Sequence, residues 1–227
     1  MQHPIKVIIT GATGMVGEGV LHECLQSDAI AGVLIINRRP SGITHPKLTE
    51  IVHEDFMDAS PLMSAVSGYD ACFFCLGVSS VGMKEAAYSR LTYDLTIDFA
   101  RLLSSQNPVM TFCYVSGAGT DTSEKGRLMW ARVKGKTENA LMQLPFKAVF
   151  LFRPAIIIPT PGLKNTLKLY HYFGWLIPVF KVMTPDGICS LKEIGEAMIQ
   201  VTITGNKKKI LEVKDIKQLA AKCLTTL

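Results

Sequence analysis

Gly11-Ala12-Thr13-Gly14-Met15-Val16-Gly17 is the stretch that decides the fold. It follows the apolar run 5–10 and opens the helical pattern 14–26. Glycines at this spacing allow a tight turn, a close backbone approach to a pyrophosphate, and close packing of the helix on the strand. The start of the helix then presents unpaired amides to the anion. The loop therefore predicts a dinucleotide site formed by Gly11, Thr13, Gly14, Met15, Val16 and Gly17.

Beyond this loop, apolar runs alternate with helical patterns. Strand-like runs cover 32–37, 48–53, 71–76, 109–115 and 148–153, and helical patterns cover 84–105 and 123–144. Nearly unbroken apolar strands separated by helices are typical of a parallel sheet that is covered on both faces. We predict an α/β fold, a doubly wound parallel sheet (Rossmann fold), in one domain spanning residues 1–227.

After Pro154 the sequence becomes rich in proline and aromatic residues. We expect a small C-terminal extension on the substrate side, with residues 155–190 as a roof or lid. The aromatic part, 170–180, suits either the wall of an apolar pocket or a patch for self-association or partner docking. A homodimer or a protein partner therefore stays an open alternative.

Composition excludes several classes of protein. Of 227 residues 48% are hydrophobic and 19% charged, which excludes a disordered chain. The net charge of +5 comes from scattered basic residues, so we expect no nucleic-acid partner. No apolar run reaches the roughly 20 residues of a membrane span, and no signal peptide is recognised. Cys72 and Cys75 have the spacing of a metal or redox pair, but on a strand they would point to opposite faces, and no second pair or histidine stands at a matching spacing. We therefore predict free thiols, no metal and a cytoplasmic location.

The end of the second strand indicates which dinucleotide is bound. A carboxylate there normally holds the ribose 2′-hydroxyl of NAD, whereas arginine accommodates the 2′-phosphate of NADP. Here Asn37 stands in place of the acid, and Arg38 and Arg39 follow it. Guanidinium groups are suited to phosphate, so we predict NADP (NADPH), with NAD as the alternative.

These motifs, in this order and spacing, resemble those of the atypical short-chain dehydrogenases/reductases. The resemblance is greatest to the branch of the Tat-interacting-protein oxidoreductase. Beyond the glycine loop and residues 37–39, it rests on Asp55-Phe56, Cys75-Leu76-Gly77, Val115-Ser116-Gly117-Ala118, Val133-Lys134-Gly135-Lys136-Thr137-Glu138 and Phe152-Arg153-Pro154. It implies NADP binding, with Asp55 and Phe56 at the adenine, Leu76, Gly77 and Val78 at the adenine ribose, and Pro154 and Ala155 at the nicotinamide amide.

The same resemblance implies a catalytic serine, tyrosine and lysine. Ser116 and Lys134 match the serine and the lysine, and Lys134 would also hold the nicotinamide ribose. Four residues before Lys134, where the tyrosine belongs, stands Trp130. An indole donates a hydrogen bond but cannot act as an acid near neutral pH. Other tyrosines that could replace it are Tyr88, Tyr93, Tyr170 and Tyr172.

Two functions from different classes follow. One is an NADP(H)-binding oxidoreductase that passes hydride to a small-molecule substrate, an apolar carbonyl or a quinone-like acceptor, with Ser116 orienting the acceptor. The alternative is a non-catalytic NADP(H)-dependent sensor or scaffold, in which Trp130 occludes the nicotinamide site. A sugar-nucleotide epimerase fits less well, because such enzymes have the tyrosine and a longer C-terminal domain.

Overall fold

The structure is a computed structural model that describes residues 3–165 and 187–223. Its strands are β1 (Ile5–Thr10), β2 (Ile30–Asn37), β3 (Leu48–Val52), β4 (Ala71–Phe74), β5 (Thr111–Val115), β6 (Ala148–Arg153), β7 (Ile156–Ile158), β8 (Ile188–Ser190) and β9 (Ile210–Glu212). Its α-helices are α1 (Met15–Gln26), α2 (Glu85–Ser89), α3 (Leu95–Gln106), α4 (Met129–Leu141), α5 (Leu191–Thr204) and α6 (Val213–Cys223). A 3-10 turn covers Ser60–Leu62, and a π-helical turn, Arg90–Asp94, joins α2 to α3.

The main sheet confirms the predicted doubly wound topology. Seven strands lie in the order β3-β2-β1-β4-β5-β6-β9, and every pair of neighbours is parallel. From β1 the chain runs outward to β2 and β3, then returns to β4 on the other side of β1. This reversal between β1 and β4 opens a crevice at the carboxyl ends of the strands, where ligands bind in folds of this kind.

Alternation along the strands divides the hydrophobic core between the two faces of the sheet. In β1, Val7 and Ile9 pack with helices α1 and α5, whereas Ile8 packs on the opposite face with α3. All three are fully buried. Because successive strand side chains point to opposite faces, a strand covered on both sides must be apolar at every position. This requirement explains the unbroken apolar runs in the sequence.

Local polar contacts account for the differences from the predicted elements. Helix α4 begins at Met129, and the preceding residues, predicted to be helical from 123, form a loop. The Asp121 carboxylate accepts hydrogen bonds from the amides of Ser123 (3.0 Å) and Gly126 (2.6 Å), and Glu124 has a φ of 61°. These interactions compete with the helix. The predicted helix 84–105 exists but contains the π-helical turn.

The predicted roof falls mostly outside the part of the chain that the structure describes. Within 155–190, the described pieces include β7 and β8, which pair in parallel as a second small sheet. This pair was not predicted. The aromatic segment 170–180, which contains Tyr170 and Tyr172, lies outside the described residues.

The cysteines are free thiols, as predicted, and five of the six are buried. Cys75 is half-buried just beyond β4. Burial raises the pKa of Cys75 to about 12, which keeps this thiol protonated and unreactive near neutral pH.

Candidate functional site

A cleft of about 200 Å³ lies at the crevice between β1 and β4. Its walls come from the glycine loop, from the end of β2, from the loop after β3 and from the end of β4. It is lined by Gly11, Thr13, Gly14, Ile36, Asn37, Arg38, Phe56, Cys75, Leu76 and Gly77. Eight of these ten were predicted as cofactor residues. Ile36 and Cys75 were not, although Cys75 lies within a motif that pointed to the site.

The glycine loop is a cradle that side chains would fill. A Cβ on Gly11, whose φ is +73°, would lie 2.8 Å from backbone atoms of Leu76. A Cβ on Gly17 would lie 2.1 Å from the Gly11 carbonyl oxygen. Both distances are below any real contact, so these two positions require glycine for the turn and for the approach of α1. The loop therefore keeps its backbone open to a ligand.

Helix α1 begins at the cleft with its amides uncapped by side chains. Gly14 is its N-cap residue, and no side chain among the described residues caps this end. Uncapped amides and the helix dipole favour an anion at such a position. A pyrophosphate therefore fits the start of α1 in both chemistry and space.

The end of β2 brings the second predicted motif to the same cleft. Asn37 is 2% exposed, and its Oδ1 has no hydrogen-bond partner among the described residues. Arg38 and Arg39 are exposed, and neither forms an ion pair or hydrogen bond within residues 3–165 and 187–223. A buried acceptor without a protein partner can accept a hydrogen bond from a ligand. The two guanidinium groups are available for an anion at the cleft's rim.

Phe56 forms one apolar wall of the cleft. It is 3% exposed and packs edge-on to His53, with the ring centroids 5.8 Å apart. Its neighbour Asp55 is exposed and accepts a hydrogen bond from the Met57 amide at 2.9 Å. Asp55 therefore shapes the loop that carries Phe56.

The other predicted cofactor residues do not line this cleft. They are Met15, Val16, Gly17, Arg39, Asp55, Val78, Lys134, Pro154 and Ala155. Pro154 is buried beyond β6, and its carbonyl oxygen accepts a hydrogen bond from the Ala118 amide at 2.8 Å. This contact joins the ends of β5 and β6, further along the same edge of the sheet.

Ser116 lies in a buried polar network. Its Oγ donates to Oε1 of Glu138 at 2.5 Å and lies 3.2 Å from the carbonyl oxygen of Phe152. Glu138 is fully buried and forms a bidentate ion pair with Arg153, with Nε 3.0 Å from Oε1. Arg153 also reaches Glu212 at 3.4 Å. Hydrogen bonding to Glu138 raises the pKa of Arg153, so this guanidinium stays charged.

Lys134 and Trp130 occupy successive turns of α4 beside the end of β5. The Lys134 ammonium donates to the carbonyl oxygen of Ser116. Burial lowers the pKa of Lys134 to about 8, against the opposing effect of Glu138. The Trp130 ring is half-buried and lies over Gly119, where an added Cβ would be 3.4 Å from the ring. The tryptophan thus covers the loop that follows β5.

Two of the tyrosines considered as a replacement acid are described, and neither lines the cleft. Tyr88 is 1% exposed, and burial raises its pKa. Tyr93 has the Lys136 ammonium 4.2 Å above its ring and packs with the core beneath α3. The remaining candidates, Tyr170 and Tyr172, lie outside the described residues.

Two further features bear on partners. Among the described helices, none combines the length and the apolar character of a membrane span. No group of three or more His, Cys, Asp or Glu side chains that could hold a metal occurs within residues 3–165 and 187–223.

Comparison with known proteins agrees with this geometry. A family described as NAD(P)H-binding matches residues 11–143. The protein fmp52-2, mitochondrial, of Neosartorya fischeri is 28% identical over 165 residues, which cover 70% of this chain and 69% of the relative. Protein HTATIP2 of Rattus norvegicus is 27% identical over 155 residues, which cover 67% of this chain and 63% of the relative.

Solved structures share the fold. The enzyme WbmG of Bordetella bronchiseptica, solved with NAD, has a TM-score of 0.65 at 14% identity and covers 98% of this chain and 79% of its own. A UDP-N-acetylglucosamine 4-epimerase of Methanobrevibacter ruminantium has a TM-score of 0.66 at 16% identity, and the match covers 92% of this chain and 76% of the epimerase. At these identities the likeness concerns the fold alone.

The relatives also correct one expectation. The predicted cytoplasmic location is wrong on this comparison, because the fungal relatives are named mitochondrial. The prediction was based on composition and on the search for a secretory signal peptide, and neither distinguishes the cytosol from the mitochondrion.

Proposed function

Because the chain belongs to the NAD(P)H-binding family and is an atypical short-chain dehydrogenase/reductase related to the HTATIP2 branch, we propose that it is an NADPH-dependent oxidoreductase. Its acceptor is an apolar carbonyl or, in preference, a quinone-like molecule. The observation that carries the proposal is the cleft between the glycine loop and Arg38.

The choice of NADPH over NADH rests on the charges at the end of β2. Asn37 offers an amide where a carboxylate would bind the 2′-hydroxyl of NAD. Arg38 lines the cleft and Arg39 follows it, both exposed and without a described partner. A 2′-phosphate would supply the anion that these guanidinium groups lack.

The residues that would hold the cofactor form three groups along the carboxyl ends of the strands, one for each part of the molecule. Gly11, Thr13 and Gly14 line the cleft beside the start of α1, where the uncapped amides of the helix would bind the pyrophosphate. Phe56, Leu76 and Gly77 would enclose the adenosine. Lys134, Pro154 and Ala155 lie beyond the cleft, towards β5 and β6, and would hold the nicotinamide half.

The preference for a quinone-like acceptor follows from Trp130, which stands where a tyrosine would donate the proton. NADPH supplies a hydride when it is bound. Reduction of a simple ketone also needs an acid at the developing alkoxide, and Trp130 cannot provide one. The Ser116 hydroxyl donates to Glu138 at 2.5 Å, so a carbonyl ligand at Ser116 would have to break that bond. A quinone adduct is a stabilised anion and needs less help from the protein.

A second function, an NADPH-dependent sensor, is favoured by one contact. Glu18 in α1 is 5% exposed, and its carboxylate accepts hydrogen bonds from the amides of Lys164 (2.9 Å) and Asn165 (2.7 Å). The helix that would bind the pyrophosphate is thereby tied to the segment after β7. Glu18 lies in the first turn of α1, next to the proposed pyrophosphate position, so cofactor binding there would change the protection of these two amides.

We also propose a mitochondrial location, from the names of the fungal relatives. Fractionation of cells that express the full chain with a C-terminal tag tests this. Recovery of the tagged protein with mitochondria is expected, and recovery in the soluble cytosolic fraction alone would overturn the proposal.

The oxidoreductase and the sensor are distinguished by one pair of measurements. NADPH oxidation is followed with a panel of quinones and apolar carbonyls, and hydrogen exchange at Lys164 and Asn165 is followed with and without NADPH. Turnover with a quinone supports the oxidoreductase. NADPH binding without turnover, together with slower exchange at the two amides, replaces it with the sensor.

A further inference from the structure

Glu50 holds both ends of the turn that carries Arg38 and Arg39. Its Oε1 accepts hydrogen bonds from Nδ2 of Asn37 at 2.9 Å and from the Ser41 amide at 2.8 Å. Its Oε2 accepts from the Ser41 hydroxyl at 3.2 Å. The Glu50 carboxylate therefore links Asn37 to Ser41, the residues at the two ends of the turn that contains Arg38 and Arg39.

The register of the sheet places Glu50 for this task. β3 is the edge strand and pairs with β2, so that Glu50 lies opposite Ile35, and Val52 opposite Asn37. Side chains two residues apart on neighbouring strands share a face of the sheet. Glu50 can therefore reach diagonally to Asn37 and onward to the turn beyond the end of β2.

The same carboxylate orients the Asn37 side chain. Because Nδ2 donates to Glu50, Oδ1 is turned away from it and has no described partner. Asn37 lines the cleft and is 2% exposed. An acceptor held in this way is suited to a ribose hydroxyl of a bound nucleotide, which would satisfy its missing hydrogen bond.

We propose that Glu50 is a positioning residue for cofactor choice, one that fixes the Arg38–Arg39 turn where the 2′-phosphate of NADPH would lie. This inference rests on the proposed NADPH dependence. Glu50 would not touch the phosphate and acts through Asn37 and Ser41. Preorganising a charged loop lowers the entropy lost on binding, so removal of the carboxylate should affect NADPH more than NADH.

Charge provides the competing interpretation. A carboxylate close to a bound phosphate would repel it, and its removal would then strengthen NADPH binding. Two substitutions separate the interpretations. Glu50→Gln removes the charge but keeps an oxygen that can accept from Asn37 and Ser41, whereas Glu50→Ala removes the acceptor as well.

The experiment is titration of wild type, Glu50→Ala and Glu50→Gln with NADPH and NADH, by cofactor fluorescence. Glu50→Ala should weaken NADPH binding about tenfold and NADH binding about twofold, in line with the loss of charge-assisted hydrogen bonds. Glu50→Gln should keep most of the wild-type ratio. Asp70→Ala is the matched control. Asp70 also accepts from a backbone amide (Lys6, 2.7 Å), but it lies just before β4, at the amino ends of the strands and away from the cleft.

Three outcomes decide against the inference. An unchanged NADPH:NADH ratio in Glu50→Ala overturns the positioning role, and tighter NADPH binding in both variants replaces it with charge repulsion. A wild-type protein without preference for NADPH overturns the proposed function itself. If Glu50→Ala does not fold in a thermal melt, Ser41→Ala is the second test. It loses the hydroxyl's bonds to Glu50 and to the Ile43 amide but keeps the bond from its own amide to Glu50, and it should shift the ratio in the same direction by about twofold.

Discussion

The hydroxyl of Ser116 lies 2.5 Å from Oε1 of Glu138, and that carboxylate is also bound by Arg153. The three residues come from the end of β5, from α4 and from the end of β6. Their network joins the elements beside the expected nicotinamide position. It uses the hydrogen that a catalytic serine would offer to a substrate carbonyl, so the contact favours a structural role for Ser116.

Replacement of Ser116 by alanine tests that role. We expect Ser116→Ala to lower the free energy of unfolding by about 1–3 kcal/mol, because Glu138 loses a buried donor. Urea denaturation measures this, with Ser105→Ala, an exposed residue of α3, as a control that should change little. The rate of quinone-dependent NADPH oxidation should stay within about twofold of wild type. A hundredfold lower rate at unchanged stability would return Ser116 to the catalytic role.

Restoring the phenol at position 130 should restore acid assistance. Trp130 stands one helical turn before Lys134, so a tyrosine there would lie beside the ammonium. Trp130→Tyr should raise kcat/KM for simple ketones by about a hundredfold, within the usual range for a general acid. Trp130→Phe is the matched control and should give no increase. Equal gains in both variants would attribute the effect to the removal of bulk over Gly119.

The lowered pKa of Lys134, about 8, predicts a pH-dependent affinity for the cofactor. Below pH 8 the ammonium is present and attracts anionic NADPH, and above pH 8 it is progressively lost, so the affinity should fall as the pH rises. In Lys134→Arg the charge persists and this fall should vanish. Fluorescence titration between pH 6 and about 9.5 measures both. A wild-type affinity that is constant over this range would contradict a charged contact from Lys134.

The lowered pKa of Lys134 also makes the stability of the fold depend on pH, but stability should rise with pH where the cofactor affinity falls. The pKa of Lys134 is about 8 in the folded protein, below the value of about 10.4 for an unfolded chain. The unfolded state therefore binds more protons in that window, and this group's contribution to stability increases from pH 8 to about 10.4. In urea denaturation over that range, the difference in unfolding free energy between wild type and Lys134→Met should move in favour of wild type. A constant difference would mean that burial does not shift this lysine.

Substitution by alanine should have different effects on NADPH binding and folding at two glycines of the loop, Gly14 and Gly17. A Cβ at position 17 would lie 2.1 Å from the Gly11 carbonyl oxygen, whereas at position 14 the nearest atom is 3.4 Å away. Gly17→Ala should abolish NADPH binding or folding, and Gly14→Ala should keep the fold with an affinity within about tenfold of wild type. Binding and thermal melts of both variants check this. Equal behaviour of the two would show that the loop geometry does not limit the site.

The fold was predictable because its signals are local. The glycine loop, the apolar run before it and the helix after it lie within residues 5–26, and the sheet follows from repeats of that unit. The contacts of Glu18 and Glu50 were not predictable. Glu18 accepts a hydrogen bond from an amide 146 residues away, and Glu50 on β3 binds Asn37 at the end of the neighbouring strand β2. Each looks like a surface acid in the sequence, and its role depends on which backbone the fold brings beside it.

The interpretation of Ser116 shows the same limit within a recognised motif. Its position at the end of β5 was correct, but the direction of its hydroxyl depends on Glu138, 22 residues later, and on the strand that follows. Spacing along the chain gives the position of a side chain on an element, whereas the bonds it forms are set by packing.

The central claim is that this cleft binds NADPH through the arginines after β2. Fluorescence titration of wild type and of the double variant Arg38→Ala/Arg39→Ala with NADPH and NADH tests it most directly. Arg101→Ala is the control, because Arg101 is 63% exposed on α3 and pairs with Asp98. We predict that wild type binds NADPH about tenfold or more tightly than NADH, and that the double variant loses this preference while its NADH affinity changes little. Equal affinities in wild type, or equal losses for both cofactors in the variant, would contradict the claim.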